Sequence, residues 1–201
     1  MASHSRLRLS RLLGVQLRRK CTWYLHRRQG PPGVRRRLRR NPPAPRLRLR
    51  DHRLLRDQYD VRGRQLGRVL ADAAQRGGQL ADRVADQLEQ RLDALVWRAG
   101  LAPTVRVARQ LISHNSFTVD GTKIARPSFL VRPGQIVAVR RARRHKRPFT
   151  LALRLLSGRT VPPPYLEVHP AELRAMLTRA PRHDEVPALR DLRLTPTAAR
   201  R

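Results

Sequence analysis

Cysteine is almost absent. Cys21 is the only one in 201 residues, so no intramolecular disulfide forms and no cysteine cluster holds zinc. Aromatics are scarce and dispersed: Trp23, Tyr24, Tyr59, Trp97, Phe117, Phe129, Phe149 and Tyr165 are all of them. Stacking platforms for single-stranded bases need aromatics gathered on one surface, so base-by-base reading of an unpaired strand is not expected. No apolar run approaches the roughly 20 residues that span a bilayer, which sets membrane insertion aside. Acid is missing over long stretches, with none before Asp51 and none between Asp120 and Glu167. Lysine is confined to Lys20, Lys123 and Lys146.

What remains is arginine. Lys and Arg together number 45 against 14 Asp and Glu, a net charge of +31. Such an excess opposes self-compaction and calls for a polyanion, with nucleic acid the usual one and an acidic membrane surface the alternative. Arginine forks onto phosphate oxygens with two hydrogen bonds, as lysine cannot, although GC-rich coding also favours it. Most of the acids lie between Asp51 and Asp93. Two polyanion-facing segments therefore flank a more ordinary helical one. The Arg-rich, acid-free start, Met1 to Lys20, also has the composition of a mitochondrial transit peptide.

Residues 1–45 are Arg-, Pro- and Gly-rich, with Pro31-Pro32-Gly33 and Pro42-Pro43-Ala44-Pro45 breaking any helix; an extended basic arm is expected. Apolar spacing predicts helices over Arg46–Tyr59 and Arg62–Arg76, with Gly77-Gly78 as a stop. Leu80, Val84, Leu88, Leu92, Leu95 and Ala99 then form one stripe, predicting a single long helix from Gln79 to Ala99 closed by Gly100. On that helix Arg91 and Arg98, seven apart, share a face. Thr104 is placed to cap a helix over Val105–His114. Its apolar side is read as Val105, Ala108, Leu111 and Ile112, its polar side as Arg106, Arg109, Gln110 and Ser113. Asp120-Gly121 between short apolar runs is a tight-hairpin signal, and Pro133-Gly134 a turn before a strand at Ile136–Val139. Arg140 to Arg147 is a basic block, Leu151 to Leu156 a strand or helical turn, Pro162 to Pro164 a linker, and Ala171–Arg179 a short helix.

One stretch, RLDALVWRAGLAPTVRVARQLISHNSFTVDGTKIARPSFLVRPGQIVAVR (Arg91 to Arg140), carries many matching positions at once. They include Arg91-Leu92-Asp93, Gly100, Ala108 to Ile112, Val119-Asp120-Gly121, Pro127-Ser128-Phe129 and Pro133-Gly134. This pattern resembles the S-four RNA-binding fold. Arg27 to Gly33, the early helices and Pro162–Leu166 extend the likeness to nearly the whole chain, so the sequence resembles the universal S-four family of small-subunit ribosomal proteins, in its actinobacterial form. The resemblance implies an α+β fold: a basic arm (1–45), a helical domain (46–90, closed by 178–201), and an inserted S-four domain of two helices and a small sheet with the segment that follows it (91–177). It implies small-subunit rRNA as the direct partner, a structural role in assembly and decoding accuracy, a place beside small-subunit proteins three and five, no small-molecule substrate, no cofactor and no reaction. The ribosome implied is a bacterial cytoplasmic one, and the start is then family sequence rather than a transit peptide. The expected RNA-binding residues are Arg91, Arg98, Thr104, Arg106, Arg109, Gln110, Ser113, His114, Asn115 and Lys123, with Arg35, Arg36 and Arg37 in the arm.

Asp93 is an acid in this basic setting, suited to pairing with or orienting an arginine. Asn115 stands where the family usually has Gly; a positive φ there suits Asn better than most residues. His114 either touches phosphate or packs on the hairpin. Trp97 is expected to pack rather than stack on bases. The missing zinc-type cysteine set and the atypical ending after Leu194 suggest a diverged, zinc-independent copy. A non-ribosomal RNA binder acting in stress or repression is the alternative; an RNA-modifying enzyme lacks a segment long enough for a catalytic domain. Purified protein is therefore expected to carry no stoichiometric zinc by elemental analysis. One zinc per chain, lost on Cys21→Ser, contradicts this.

Overall fold

A computed structural model describes residues 11, 44–151, 162–186 and 189–190. The arm residues Arg35, Arg36 and Arg37 lie outside them, as does most of Leu151–Leu156. The chain divides into two compact units, Met1–Val61 and Arg62–Arg201. Among the described residues no helix is long and apolar enough to cross a membrane.

The first unit contributes α1 (Ala44–Gln58), with Pro45 in its first turn, where a missing N–H costs nothing. It buries Leu54 and Leu55, and Tyr59 and Val61 just beyond its end. Asp60 takes a left-handed conformation (φ 50°) to turn the chain out of the helix.

The second unit opens with α2 (Gly63–Gln75) and α3 (Leu80–Glu89), separated by Gly77 and Gly78, both at positive φ. The single helix expected from Gln79 to Ala99 is two helices: α3 stops at Glu89 and α4 runs from Leu92 to Arg98. The apolar stripe is continuous, so periodicity alone gives no sign of a break. The break comes from tertiary pairing. Arg91 is extended (φ −63°, ψ 136°) and bridges Leu130. Val131 N–H donates to the Gln90 carbonyl at 2.8 Å, Leu92 N–H to Phe129 at 2.8 Å, and Asp93 N–H to Pro127 at 3.1 Å. A strand-like segment thus takes the backbone groups that a continuous helix would use. Arg91 and Arg98 accordingly do not share one helical face.

Gly100 (φ 73°) ends α4, as expected of a Gly after a helix. The Thr104 hydroxyl accepts from Val107 N–H and starts α5 (Val105–Ser113). Val105, Ala108 and Ile112 are buried, but Leu111 is only half-buried, so the inward face is narrower than expected.

A five-stranded antiparallel sheet follows, in the order β2-β1-β3-β5-β4. Its strands are β1 (Phe117–Val119), β2 (Thr122–Lys123), β3 (Ile136–Val139), β4 (Leu166–His169) and β5 (Arg174–Leu177). Asp120 (φ 48°) and Gly121 (φ 80°) both take positive φ, as a two-residue type I′ hairpin requires. The Asp120 carboxylate also accepts from Ile136 N–H and Gln135 Nε2, both at 2.8 Å, fixing the hairpin to the start of β3. Phe117 pairs with Val139 and Val119 with Val137; these four, with Ala175 and Leu177, are buried. That alternation is the period-2 signature of a sheet with one covered face.

Ala171–Arg179, read as a helix, is instead a short 3-10 turn (Pro170–Glu172) and β5. Leu173 at φ 51° reverses the chain, and pairing with β3 and β4 decides its state over local propensity. Beyond it, the Asp82 carboxylate of α3 accepts from the His183 backbone N–H at 2.9 Å and its ring Nδ1 at 2.8 Å. The backbone bond, aided by the His183 ring, outweighs burial and holds the Asp82 carboxyl below its ordinary value.

Ile112→Ala should therefore cost about 2–5 kcal/mol in urea unfolding, as deletion in a packed core does. Leu111→Ala should cost much less. Equal losses at the two positions contradict the observed face.

Candidate RNA interface

The break between α3 and α4 places Arg91 and Asp93 together. The Arg91 guanidinium donates from Nε (3.0 Å) and Nη2 (2.8 Å) to the two oxygens of Asp93, a forked pair. Arg109 of α5 donates to the same carboxylate from Nε at 2.6 Å. Ala94 N–H supplies a fourth donor at 2.9 Å. Asp93 is fully buried and Arg91 nearly so. One carboxylate thus joins the break to α5.

A second cluster lies beside it. Arg98 donates from Nε and Nη2 to Glu89, the closest contact being 2.7 Å. The hydroxyl of Tyr165, 76 positions later, donates to Glu89 at 3.0 Å. Burial, reinforced by the Glu89 carboxylate, pushes the Tyr165 hydroxyl far up from its ordinary value, so it stays a donor. The Arg98 guanidinium also lies 4.3 Å from the centre of the Trp97 ring, a cation–π contact. Trp97 is half-buried beside it.

The solvent side of α5 differs. Arg106, Gln110 and Ser113 are exposed and recur at i, i+4 and i+7, one stripe along the helix. His114 caps the helix end and is exposed; Asn115 follows at φ 55°, the left-handed conformation that Asn tolerates. Lys123 on β2 is exposed as well, and Thr104 is half-buried in its capping bond.

The expected residues therefore fall into two sets. Arg106, Gln110, Ser113, His114, Asn115 and Lys123 present polar or charged groups outward. Arg91, Arg98 and Arg109 turn their guanidinium groups onto carboxylates. Arg109, read as outward-facing from its helical position, is half-buried and bound to Asp93. The Asp93 pairing was legible, because it stands two residues from Arg91. Glu89 and Tyr165 were not: Glu89 sits beside an apolar stripe, and nothing local marks Tyr165 as its partner. Among the described residues, no group of three or more His, Cys, Asp or Glu is arranged to hold a metal.

A protein whose helix pair and small sheet frame an outward basic helix face is of the S4 RNA-binding class, and the S4 domain family matches residues 90–137. Over nearly the whole chain, the sequence is 40% identical across 195 residues to small ribosomal subunit protein uS4 of Clavibacter sepedonicus, covering 96% of this chain and 93% of that protein. It is 40% identical across 184 residues to the uS4 protein of Micrococcus luteus, covering 90% and 88%. It is 38% identical across 195 residues to that of Streptomyces griseus, covering 96% and 95%. The chain belongs to the uS4 family.

Asp93→Asn is expected to destabilise by about 3–5 kcal/mol, because it leaves the buried Arg91 uncompensated. Lys123→Ala should stay within about 0.5 kcal/mol of the parent. Urea midpoints decide it: a parental midpoint for Asp93→Asn contradicts a structural role for the shared carboxylate.

Proposed function

We propose that this chain is a structural constituent of the small ribosomal subunit that binds small-subunit rRNA directly, takes part in its assembly and contributes to translational accuracy. The observation that carries the reading is the exposed stripe Arg106, Gln110, Ser113, continued by His114, with Lys123 exposed on β2, on a unit that ties Arg91, Arg98 and Arg109 onto carboxylates. These residues contact RNA. Arg91, Arg98 and Arg109 position the helices that present them. The arm arginines Arg35, Arg36 and Arg37 add phosphate contacts. Neighbouring proteins three and five of the small subunit are its protein contacts, the bacterial cytoplasmic ribosome its place, and no reaction is assigned to it.

Scarce aromatics and clustered arginine suit readout of RNA shape and backbone rather than unpaired bases. Binding should then be strongly salt-dependent. If roughly six to ten phosphates are neutralised, affinity for folded small-subunit rRNA falls by about 10³ to 10⁵ between 50 and 200 mM salt. The chain should also sediment with small subunits at moderate salt. Lys123→Ala should weaken binding while leaving melting unchanged. A flat salt titration, or a chain that stays at the top of the gradient, overturns the proposal. Arg109→Ala is not a clean test of binding, because it removes a partner of Asp93.

A further inference from the structure

The basic block after β3 lies outside the stripe on α5, and it is built into the fold. Arg140 N–H donates to the Ser116 carbonyl at 3.0 Å, and its Nη1 to the Asn115 carbonyl at 2.9 Å. Arg144 Nε donates to the Val139 carbonyl at 3.2 Å. A 3-10 turn (Arg141–Arg143) runs through backbone bonds from Arg143 to Arg140 and from Lys146 to Arg143 into a helical turn over 147–151. Phe149 anchors the far end. It is fully buried and meets Phe117 edge-to-face, with ring centres 5.7 Å apart. Between these anchors Arg141, His145, Lys146 and Arg147 are exposed. Their side chains meet no acid among the described residues. The flanking acids in sequence are engaged elsewhere, Asp120 with Ile136 and Gln135, Glu167 with His169.

A charge run is usually a solvated face. This one differs in being held at both ends, so the backbone that carries its cations is ordered before a ligand arrives and does not have to be ordered on binding. Through Arg140 it is also tied to Asn115, the residue that leaves the exposed end of α5.

We infer that residues 140–147 form a second phosphate-binding surface, continuous with the end of α5, that takes the sugar-phosphate backbone of helical RNA. The inference rests on the proposed rRNA binding. Helical backbone is favoured over unpaired bases because the one aromatic here, Phe149, is buried and offers no stacking face. Arginine and lysine without acids or apolar anchors suit phosphate, not a protein interface core.

The test uses the full chain and folded small-subunit rRNA, titrated from 50 to 200 mM salt. The variant Arg141→Ala/Lys146→Ala/Arg147→Ala should bind with a slope of log affinity against log salt shallower by about 2–3, at about 0.7–0.9 per phosphate lost. Arg141→Lys/Arg147→Lys should keep the parental slope. Single changes Arg141→Ala and Arg147→Ala should each lower it by about one, and they give the same reading should the triple variant melt early. Parental slope and affinity in the neutralised variants overturn this inference alone. A parent that fails to bind the RNA overturns it together with the proposed function.

Discussion

The buried carboxylate of Asp93 holds together what the rest of the second unit presents. It receives the fork of Arg91 from the break between α3 and α4, Arg109 from α5, and the backbone of Ala94. Two arginines around one buried carboxylate leave a net positive cluster, so the arrangement survives only because the donors are so well directed. Its consequence is geometric. With Arg109 turned inward and Val105, Ala108 and Ile112 packed, Arg106, Gln110 and Ser113 have only the solvent side of α5 left to occupy. Glu89 performs the same service for Arg98, with Tyr165 reaching in from beside β4.

Charge therefore divides by task. A chain of net charge +31 has few acids to spend, and Asp93 and Glu89 are spent on arginines that orient helices. Asp120 locks a hairpin to β3, and Asp82 ties α3 to the segment at His183. Exposed basic residues stand on α5, at Lys123 and in the block after β3. A polyanion completes such a surface, and the uS4 family membership agrees with that reading.

Much of this was legible in the residues. Gly100, Asn115, Asp120-Gly121 and Gly134 mark positions of positive φ, and the structure has positive φ at each. The helix from Val105 and the strand Ile136–Val139 follow from local periodicity and turn chemistry, which act over a few residues. The misreadings share one cause. The Gln79–Ala99 stripe looks continuous, yet Phe129 to Val131 breaks it by taking its backbone groups. Ala171–Arg179 looks helical, yet β3 recruits Arg174–Leu177 as a strand. Arg109 looks solvent-facing on a helical wheel, yet Asp93 draws it in across 16 positions. Each is a long-range partner outweighing a local preference, and a single sequence does not display such partners.

Cryo-electron microscopy of small ribosomal subunits carrying this chain tests the account most directly. It predicts rRNA phosphates against Arg106, Gln110 and Ser113, with Arg91 and Arg109 still closed on Asp93. Subunits that lack the chain, or density with this face of α5 in solvent and Arg91 opened onto RNA, contradict it.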